Sequence, residues 1–198
     1  MYPKSLKNLI ESFKLLPGVG EKTAERMAFF SIDMDKEEIE FFSNSLLEAS
    51  EKLHKCSQCN NITDNEVCDI CSNKNRNKNI LCIVDDPKSL YMFEKNQIFD
   101  GYYFIVNNLI SPINGINPED IGLEKMLKYI KNNNFKEIII AVKPSIEGET
   151  TTLYIKRILE GLNIKVTRLA SGIPIGADME YIDSLTLERA ILDRKEIE

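Results

Sequence analysis

The second half of the chain alternates short apolar runs with longer amphipathic stretches. Four apolar runs have the length of buried strands: Ile80–Val84, Tyr102–Val106, Glu137–Val142 and Ile164–Arg168. Apolar residues at helical spacing predict helices over Pro118–Lys131 and Glu149–Leu162. Strands that alternate with helices are typical of a mainly parallel sheet flanked by helices, so the predicted fold class is α/β. Functional groups are then expected at the carboxyl ends of the strands.

Residues 1–30 predict two short amphipathic helices around a glycine turn. Apolar positions of the first helix fall at i, i+3, i+4 and i+7: Leu6, Leu9, Ile10 and Phe13. Ser5 is placed to cap this helix. The helix should end before Pro17, since proline disfavours helical backbone in the residue before it, and Gly18 and Gly20 permit a positive φ.

The second helix, expected from about Glu21, carries candidate nucleic-acid contacts. It should bury Ala24, Met27 and Ala28. The Pro-Gly-Val-Gly turn between the helices resembles the helix-hairpin-helix DNA-binding motif. Gly18 and Gly20 let the backbone approach a phosphate, toward which the first N–H groups of the helix point. Lys22 and Arg26 are four residues apart and project from one face. Such contacts predict DNA binding without sequence preference; a plain turn with solvated lysines is the alternative.

Four cysteines, Cys56, Cys59, Cys68 and Cys71, form the pattern Cys-x2-Cys-x8-Cys-x2-Cys. Two such pairs can close a tetrahedral all-sulfur site, which predicts one structural Zn²⁺ per chain with no open coordination position. Paired cysteines in a chain without a visible targeting signal favour a metal and a reducing cytoplasm over disulfides. Cys82 lies in an apolar run and is expected to be buried and unreactive. The single histidine, His54, is expected to be exposed or to support the site from outside.

Composition and charge narrow the class of protein. The 198 residues carry a net charge of −6, which argues against indiscriminate coating of nucleic acid. Residues 1–30 hold five bases and three acids, whereas residues 31–51 hold one base and seven acids. An anionic ligand is therefore expected at the N-terminal third and the cysteine segment. No apolar run approaches the roughly 18 residues of a membrane span, so no membrane partner is expected.

The C-terminal layout resembles the Toprim domain, the metal-binding fold of topoisomerases and bacterial primases. The resemblance implies an acid after the first strand and an Asp-x-Asp after the third, which together hold Mg²⁺. Here Asp85 follows the first strand, Lys143 and Ser145 occupy the Asp-x-Asp positions, and Glu147 and Glu149 lie downstream. Lysine at a ligand position should repel Mg²⁺, so no enzymatic activity is expected. A Mg²⁺-dependent nuclease or primase-like enzyme using Asp85, Glu147 and Glu149 is the alternative.

The order of these parts resembles the RecR family of recombination mediators. The stretches that carry the resemblance are Leu16–Gly20, the four cysteines, Ser111–Gly115, Glu147–Thr150 and Gly172–Asp183. The expected division is a helix-hairpin-helix and following helix over residues 1–53, a zinc finger and linker over 54–79, a Toprim domain over 80–170, and a C-terminal tail with a helix over 171–198. The polar linker Lys74–Asn79 is expected to be solvated. Gly172–Asp183 is expected either to pack as a structural tail or to contact DNA.

The family resemblance implies a non-enzymatic bacterial DNA-repair factor that works with RecO or RecF to load RecA onto gapped DNA. It implies dimers or ring-like tetramers able to encircle duplex DNA, with the protein at the nucleoid when bound. Lys22 and Arg26 match the DNA-contacting pair of the family, and Glu147 matches an acid implicated in binding RecO. A protein-only adapter, for which DNA contact is incidental, is a further alternative.

Several positions depart from the family pattern and leave open whether RecO or RecF is the main partner. Where the family commonly has His-Val-Leu-Gly-Gly, this chain has Phe104, Ile105, Val106, Asn107 and Asn108. Ser89 and Asn114 replace usual aspartates, and Ser171 replaces a usual arginine. The closed zinc knot is expected to act as a rigid joint between the hairpin and the Toprim domain.

Overall fold

The computed structural model describes residues 2–170, 172–194 and 196, and the chain forms two compact units that meet in sequence after Leu53. The departure at Ser171 lies outside the described residues. The first unit contains three helices: α1 (Lys4–Lys14), α2 (Glu21–Ile32) and α3 (Lys36–Lys52). The second unit holds the cysteines and the α/β domain.

The predicted cap of α1 at Ser5 is wrong. The helix begins at Lys4, so Ser5 lies inside its first turn, and Pro3 occupies the cap position without a side-chain hydrogen bond. The carbonyl of Pro3 accepts the N–H of Lys7 at 3.0 Å, which closes the first turn earlier than predicted. Proline suits this place because it has no N–H to leave unpaired and its φ is already fixed.

Two alanines of α2 allow the hairpin helices to pack closely. Ala24 and Ala28 are fully buried against Ile10 of α1, and partly buried apolar residues surround them: Leu6, Leu9, Phe13 and Val19. Met27, predicted to be buried, is only partly covered. The third helix starts with a capping box, in which Asp35 accepts from the Glu38 N–H at 2.8 Å and the Glu38 side chain accepts from the Asp35 N–H. None of the α3 residues is buried.

The second unit combines a small hairpin with a four-stranded sheet. Its elements are β1 (His54–Lys55), β2 (Ile62–Thr63), α4 (Asp69–Ser72), β3 (Ile80–Val84), α5 (Pro87–Lys95), β4 (Tyr102–Ile105), α6 (Leu123–Lys131), β5 (Glu137–Ala141), α7 (Ile146–Leu159), β6 (Lys165–Arg168) and α8 (Ser184–Leu192). Short 3₁₀ turns lie at Pro112–Asn114, Pro118–Ile121 and Met179–Tyr181. The predicted tail helix is present as α8.

The sheet has the strand order β4-β3-β5-β6, and all of its neighbouring strands are parallel. The predicted α/β class with a parallel sheet is therefore confirmed. Alternate residues of each strand enter different cores: Leu81 and Ile83 of β3 face one side, and Cys82 and Val84 face the other. This alternation follows from the two-residue repeat of a strand covered on both faces.

The direction of each crossover decides which face its helix covers. The connection through α5 leads from β3 to β4, toward one edge of the sheet. The connections through α6, from β4 to β5, and through α7, from β5 to β6, lead toward the opposite edge. Crossovers of the same hand then place α5 opposite α6 and α7. Leu90 of α5 packs with Val84, while Met126 of α6 and Ile155 of α7 pack with Ile83 on the other face.

Two predicted helices have different bounds. The helix predicted over Pro118–Lys131 is broken at Gly122, whose φ of 76° ends a 3₁₀ turn before α6 begins. The helix predicted from Glu149 begins three residues earlier, at Ile146, because Ser145 caps it by accepting from the Gly148 N–H at 3.2 Å.

The linker after the cysteines is anchored rather than solvated, which contradicts the prediction at Arg76. The Arg76 guanidinium donates to both carboxylate oxygens of Glu94 at 2.8 and 2.7 Å and to the carbonyl of Gly101 at 2.8 Å. It also lies 5.7 Å from the ring centre of Tyr103, whose hydroxyl donates to Glu94 at 2.8 Å. The linker is thereby tied to α5 and to the start of β4.

We expect Arg76→Ala to lower the free energy of unfolding by about 3 kcal/mol, because it leaves the partly buried carboxylate of Glu94 without its cationic partner. Urea titration at about pH 7 measures the change. Lys74→Ala, at an exposed base of the same linker, is the control and should change stability by less than about 0.5 kcal/mol.

The difference in unfolding free energy between wild type and Arg76→Ala should depend on pH. Burial works to raise the pKa of Glu94, but hydrogen bonds from Arg76 and Tyr103 hold that pKa below its usual value. A carboxylate with a lowered pKa stabilises the fold above the unfolded-state pKa, and this contribution is lost as pH falls through the folded-state pKa. The gap between wild type and Arg76→Ala should narrow as the medium is acidified. A gap that stays constant would show that the ion pair is not its source.

Candidate metal centre and nucleic-acid interface

The sulfurs of the four cysteines converge at one point. The Sγ atoms of Cys56, Cys59, Cys68 and Cys71 all lie within 4.8 Å of one another, and those of Cys59 and Cys68 are 3.6 Å apart. A regular tetrahedron with Zn–S bonds of about 2.3 Å has sulfurs about 3.8 Å apart. The four thiols therefore fit a Zn²⁺ ion without rearrangement of the backbone.

Local backbone geometry holds these sulfurs in place. The strands β1 and β2 form a small antiparallel hairpin, and Asn60 takes a left-handed conformation with φ of 65° between them. The Cys56 N–H donates to the Asn61 carbonyl at 2.7 Å. The N–H groups of Asn61 and Cys68 point at the sulfurs of Cys59 and Cys56, at 3.4 and 3.3 Å. His54 lies exposed on β1, as expected.

The electrostatics of the cluster also favour a cation. A hydrogen bond from Cys59 lowers the pKa of Cys68, and the same contact raises the pKa of Cys59. Sulfurs packed this closely cannot all carry negative charge unless a cation lies among them. Burial raises the pKa of Cys82 to about 12, so this fifth cysteine is a neutral buried thiol, as predicted.

The first cysteine pair, with its turn, covers the open edge of the sheet, which the sequence did not indicate. We call Cys56–Asn61 the zinc knuckle. The Ile105 N–H donates to the Cys59 carbonyl at 2.9 Å, and the Asn60 amide donates to the Ile105 carbonyl at 2.8 Å. Lys125 of α6 donates to the Cys56 carbonyl at 3.2 Å and to the Asn60 side chain. Since β4 is an edge strand, the knuckle occupies backbone groups that would otherwise be open to another chain.

Most of the departures from the family pattern have structural roles here. Phe104 is fully buried in the core of the sheet. The Asn107 side chain accepts from Lys55 at 2.7 Å, which adds a contact between β1 and the segment after β4. Asn114 donates to the Ser111 hydroxyl at 2.9 Å within its own turn, and the Ser89 N–H is the donor that Asp86 uses to cap α5. Asn108 is exposed.

The Toprim acids are not assembled as a metal site. The Asp85 carboxylate accepts from the backbone N–H of Lys143 at 3.2 Å, and Glu149 forms ion pairs with Arg168 and Arg189, both at 3.2 Å. Over residues 2–170, 172–194 and 196, the cysteines are the one group of three or more side chains of His, Cys, Asp or Glu close enough to share a metal ion. Sequence reasoning missed both arginines, because they come from β6 and α8, distant in sequence from Glu149.

Glu147 lies at the start of α7, at the same end of the sheet. Its own backbone N–H, together with the hydroxyl of Ser145, lowers the pKa of its partly exposed carboxylate. The next residue, Gly148, lets the first turn of α7 pack closely on the preceding segment, since an added Cβ there would lie 1.8 Å from the Lys143 carbonyl oxygen. Glu147 therefore places a negative charge at this corner of the domain.

The hairpin of the first unit presents the other predicted site. Gly18 has a φ of 80°, and Gly20 is the N-terminal cap of α2, with no side chain to occupy its first N–H groups. Lys22 and Arg26 are both exposed on α2. Lys14 differs, since it pairs with Glu11 at 2.9 Å and with Glu21 at 2.7 Å. Counting Lys14 as part of a basic surface overstates the charge available there.

Comparison with known proteins decides the family. Models of three RecR regions match the chain: the helix-hairpin-helix over residues 6–50, the zinc finger with four cysteines over 53–73, and the C-terminal region over 172–195. A Toprim domain model matches residues 79–170. The recombination protein RecR of Lactobacillus helveticus (strain DPC 4571) is 43% identical over 194 residues, which is 98% of both chains. The chain belongs to the RecR family.

A second relative gives the same result. Recombination protein RecR of Lactobacillus acidophilus (strain ATCC 700396 / NCK56 / N2 / NCFM) is 42% identical over 194 residues, again 98% of both chains. The predicted family and the structural zinc are therefore confirmed, and the family supports a role in recombination and DNA binding. Within the part of the chain that the structure describes, no helix has the length and apolar character to cross a membrane.

Removal of zinc should act on the second unit first. A chelator, or Cys56→Ser, is expected to lower its stability by several kcal/mol, because Zn²⁺ binding is coupled to folding. Loss of the knuckle should also open the backbone of Ile105 and promote self-association. Zinc content, circular dichroism and light scattering measure these effects. Cys82→Ala, which removes a buried thiol that is not a ligand, should keep its zinc. A zinc-free protein that stays folded and does not aggregate would contradict this prediction.

Proposed function

We propose that this chain is a non-enzymatic recombination mediator: an oligomeric DNA clamp that acts with RecO or RecF to promote RecA loading on gapped DNA. The observation that carries the proposal is the hairpin, where the exposed pair Lys22 and Arg26 follows a glycine turn at the start of α2. Within the described residues, neither base forms an ion pair with an acid, in contrast to Lys14.

The geometry of the hairpin suits phosphate. The open start of α2 offers N–H groups with a favourable dipole, and Lys22 and Arg26 project from the same helix within one turn. Glu21, which precedes Lys22 in sequence, is held by Lys14 at 2.7 Å, which reduces its repulsion of a phosphate. Contacts of this kind bind any sequence, because they involve the DNA backbone and no base edges.

The state of the Toprim edge supports a role without catalysis. A Mg²⁺ site needs oxygen ligands that converge, whereas Asp85 is bonded to the N–H of Lys143 and Glu149 lies between two arginines. A free metal ion would have to displace Arg168 and Arg189 to reach Glu149. These contacts favour a structural or partner-binding use of the domain over nuclease or primase-like chemistry.

The exposed apolar surface of α2 and α3 supports assembly with a second copy of the chain. Large side chains there are more than 45% exposed within the described structure: Phe29, Phe30, Phe41, Phe42, Leu46 and Leu47. Exposed large apolar side chains of this kind are often covered by a partner, and most soluble oligomers are built from identical chains. A closed ring would retain DNA that an acidic protein, with net charge −6, binds only weakly by its surface field.

The basic pair provides the test of DNA binding. Lys22→Ala combined with Arg26→Ala should weaken binding about equally for all sequences and reduce the slope of log K against log salt by about 2. Titration of duplex and gapped DNA at several salt concentrations measures this. Lys156→Ala combined with Arg157→Ala removes the same charge from exposed positions of α7 and is the control. Normal binding by the hairpin double variant would exclude the hairpin as the contact.

Glu147 provides the test of partner choice. Glu147→Gln should weaken binding of RecO by roughly tenfold, since the fixed carboxylate at the start of α7 suits a basic partner surface. Glu160→Gln, just beyond the other end of α7, is the matched control and should bind normally. Isothermal titration with purified RecO, repeated with RecF, measures the difference. Unchanged binding of both partners to Glu147→Gln would assign the partner surface elsewhere.

A further inference from the structure

We propose that Cys71 is the point at which thiol-directed oxidants and electrophiles reach the zinc site. The four ligands are not equally covered. Cys56, Cys59 and Cys68 are 0 to 2% exposed, whereas Cys71, in the short helix α4, is partly exposed. A reagent that approaches from solvent therefore meets Cys71 before the other three ligands.

A cavity beside Cys71 provides the approach. Its volume is about 440 Å³, which is ample for a peroxide or a small maleimide. Cys71 and Tyr129 form part of its wall, and their Sγ and hydroxyl oxygen are 3.8 Å apart. The cavity is continuous with solvent, because Gln58, Lys78 and Asn132 on its lining are exposed.

The chemistry requires only a peroxide and the ligand sulfurs. The Cys71 thiolate attacks one peroxide oxygen, the O–O bond breaks, and the departing hydroxide takes up a proton to give water. The sulfur is now a sulfenic acid, and a second ligand thiolate attacks it to form an S–S bond and expel hydroxide, which also becomes water. Two sulfurs have lost one electron each, and one peroxide has been reduced. The remaining two thiolates cannot complete a tetrahedral site, so Zn²⁺ leaves.

Loss of the metal would be transmitted directly to the sheet. The Cys59 carbonyl and the Asn60 amide hold both backbone groups of Ile105 only while the knuckle keeps its shape. Oxidation at Cys71 therefore uncovers the edge of β4, so a redox event at the protein surface becomes a change in self-association. The zinc site would then act as a sensor of oxidants as well as a structural element.

Alkylation of the zinc-loaded, full-length protein maps the order of attack. With N-ethylmaleimide below one equivalent, the first adduct found by peptide mass spectrometry should be on Cys71, and zinc release, followed with a chromogenic indicator, should match it one to one. Cys82 should stay unmodified. A first adduct on Cys56, Cys59 or Cys68, or zinc release that precedes modification of Cys71, would overturn the proposal.

A ligand exchange gives a second, independent readout. Cys71→His leaves three cysteines and one histidine, a set that also holds structural zinc, but removes the accessible thiolate. Peroxide should release zinc from this variant more slowly than from wild type, by roughly tenfold, since thiolates and not imidazoles are the nucleophiles. Cys82→Ala should release zinc at the wild-type rate. A zinc-loaded Cys71→His protein that loses its metal as fast as wild type contradicts the proposal, and the alkylation map decides the matter if this variant does not retain zinc.

Discussion

Two hydrogen bonds between the zinc knuckle and Ile105 join the metal site to the sheet of the second unit. An edge strand of a parallel sheet has a row of backbone groups without partners, and β4 is such a strand. The Cys59 carbonyl and the Asn60 amide satisfy both groups of Ile105, at 2.9 and 2.8 Å. The knuckle can do this only because metal coordination fixes a loop too short to have a core of its own. The zinc site is thus part of the sheet in energetic terms, although its strands belong to a separate hairpin.

Ion pairing decides which charges the protein can offer to a ligand. Lys14 lies in a region with excess positive charge, yet Glu11 and Glu21 neutralise it. Glu149 lies at the Toprim edge with other acids, yet Arg168 and Arg189 neutralise it. In both units, a charge that composition would assign to a binding surface is neutralised by an ion pair within the chain. The exposed bases of α2 and the carboxylate of Glu147 are outside these ion pairs, and they are the groups that the proposed function uses.

Sequence patterns predicted the features that depend on local spacing. The four apolar runs form the four strands, because a sheet covered on both faces needs continuous apolar segments. The cysteine spacing predicted the metal site, because each Cys-x2-Cys pair places two ligands close together in sequence. Predicted helix bounds were wrong where a single residue set a backbone conformation that the apolar spacing does not reveal. Pro3 started α1 before Ser5, and Gly122 broke the predicted helix by adopting a positive φ. The role of Arg76 was invisible because Glu94 and Gly101 come near it only in the folded chain.

Contacts within the fold occupy the acids of the Toprim edge. Neighbouring parallel strands β3 and β5 place Asp85 beside Lys143, at the end of the sheet where α/β proteins bind ligands. A cation would need free carboxylate oxygens at this place. The Asp85 carboxylate instead accepts a hydrogen bond from the Lys143 N–H. At Gly148, α7 also lies close against the Lys143 carbonyl. Glu147 lies at the start of α7, where its own backbone N–H and the Ser145 hydroxyl lower the pKa of its carboxylate. A partly exposed carboxylate at a domain corner can bind a basic protein surface without any metal, which agrees with the proposed use of this edge in binding a partner.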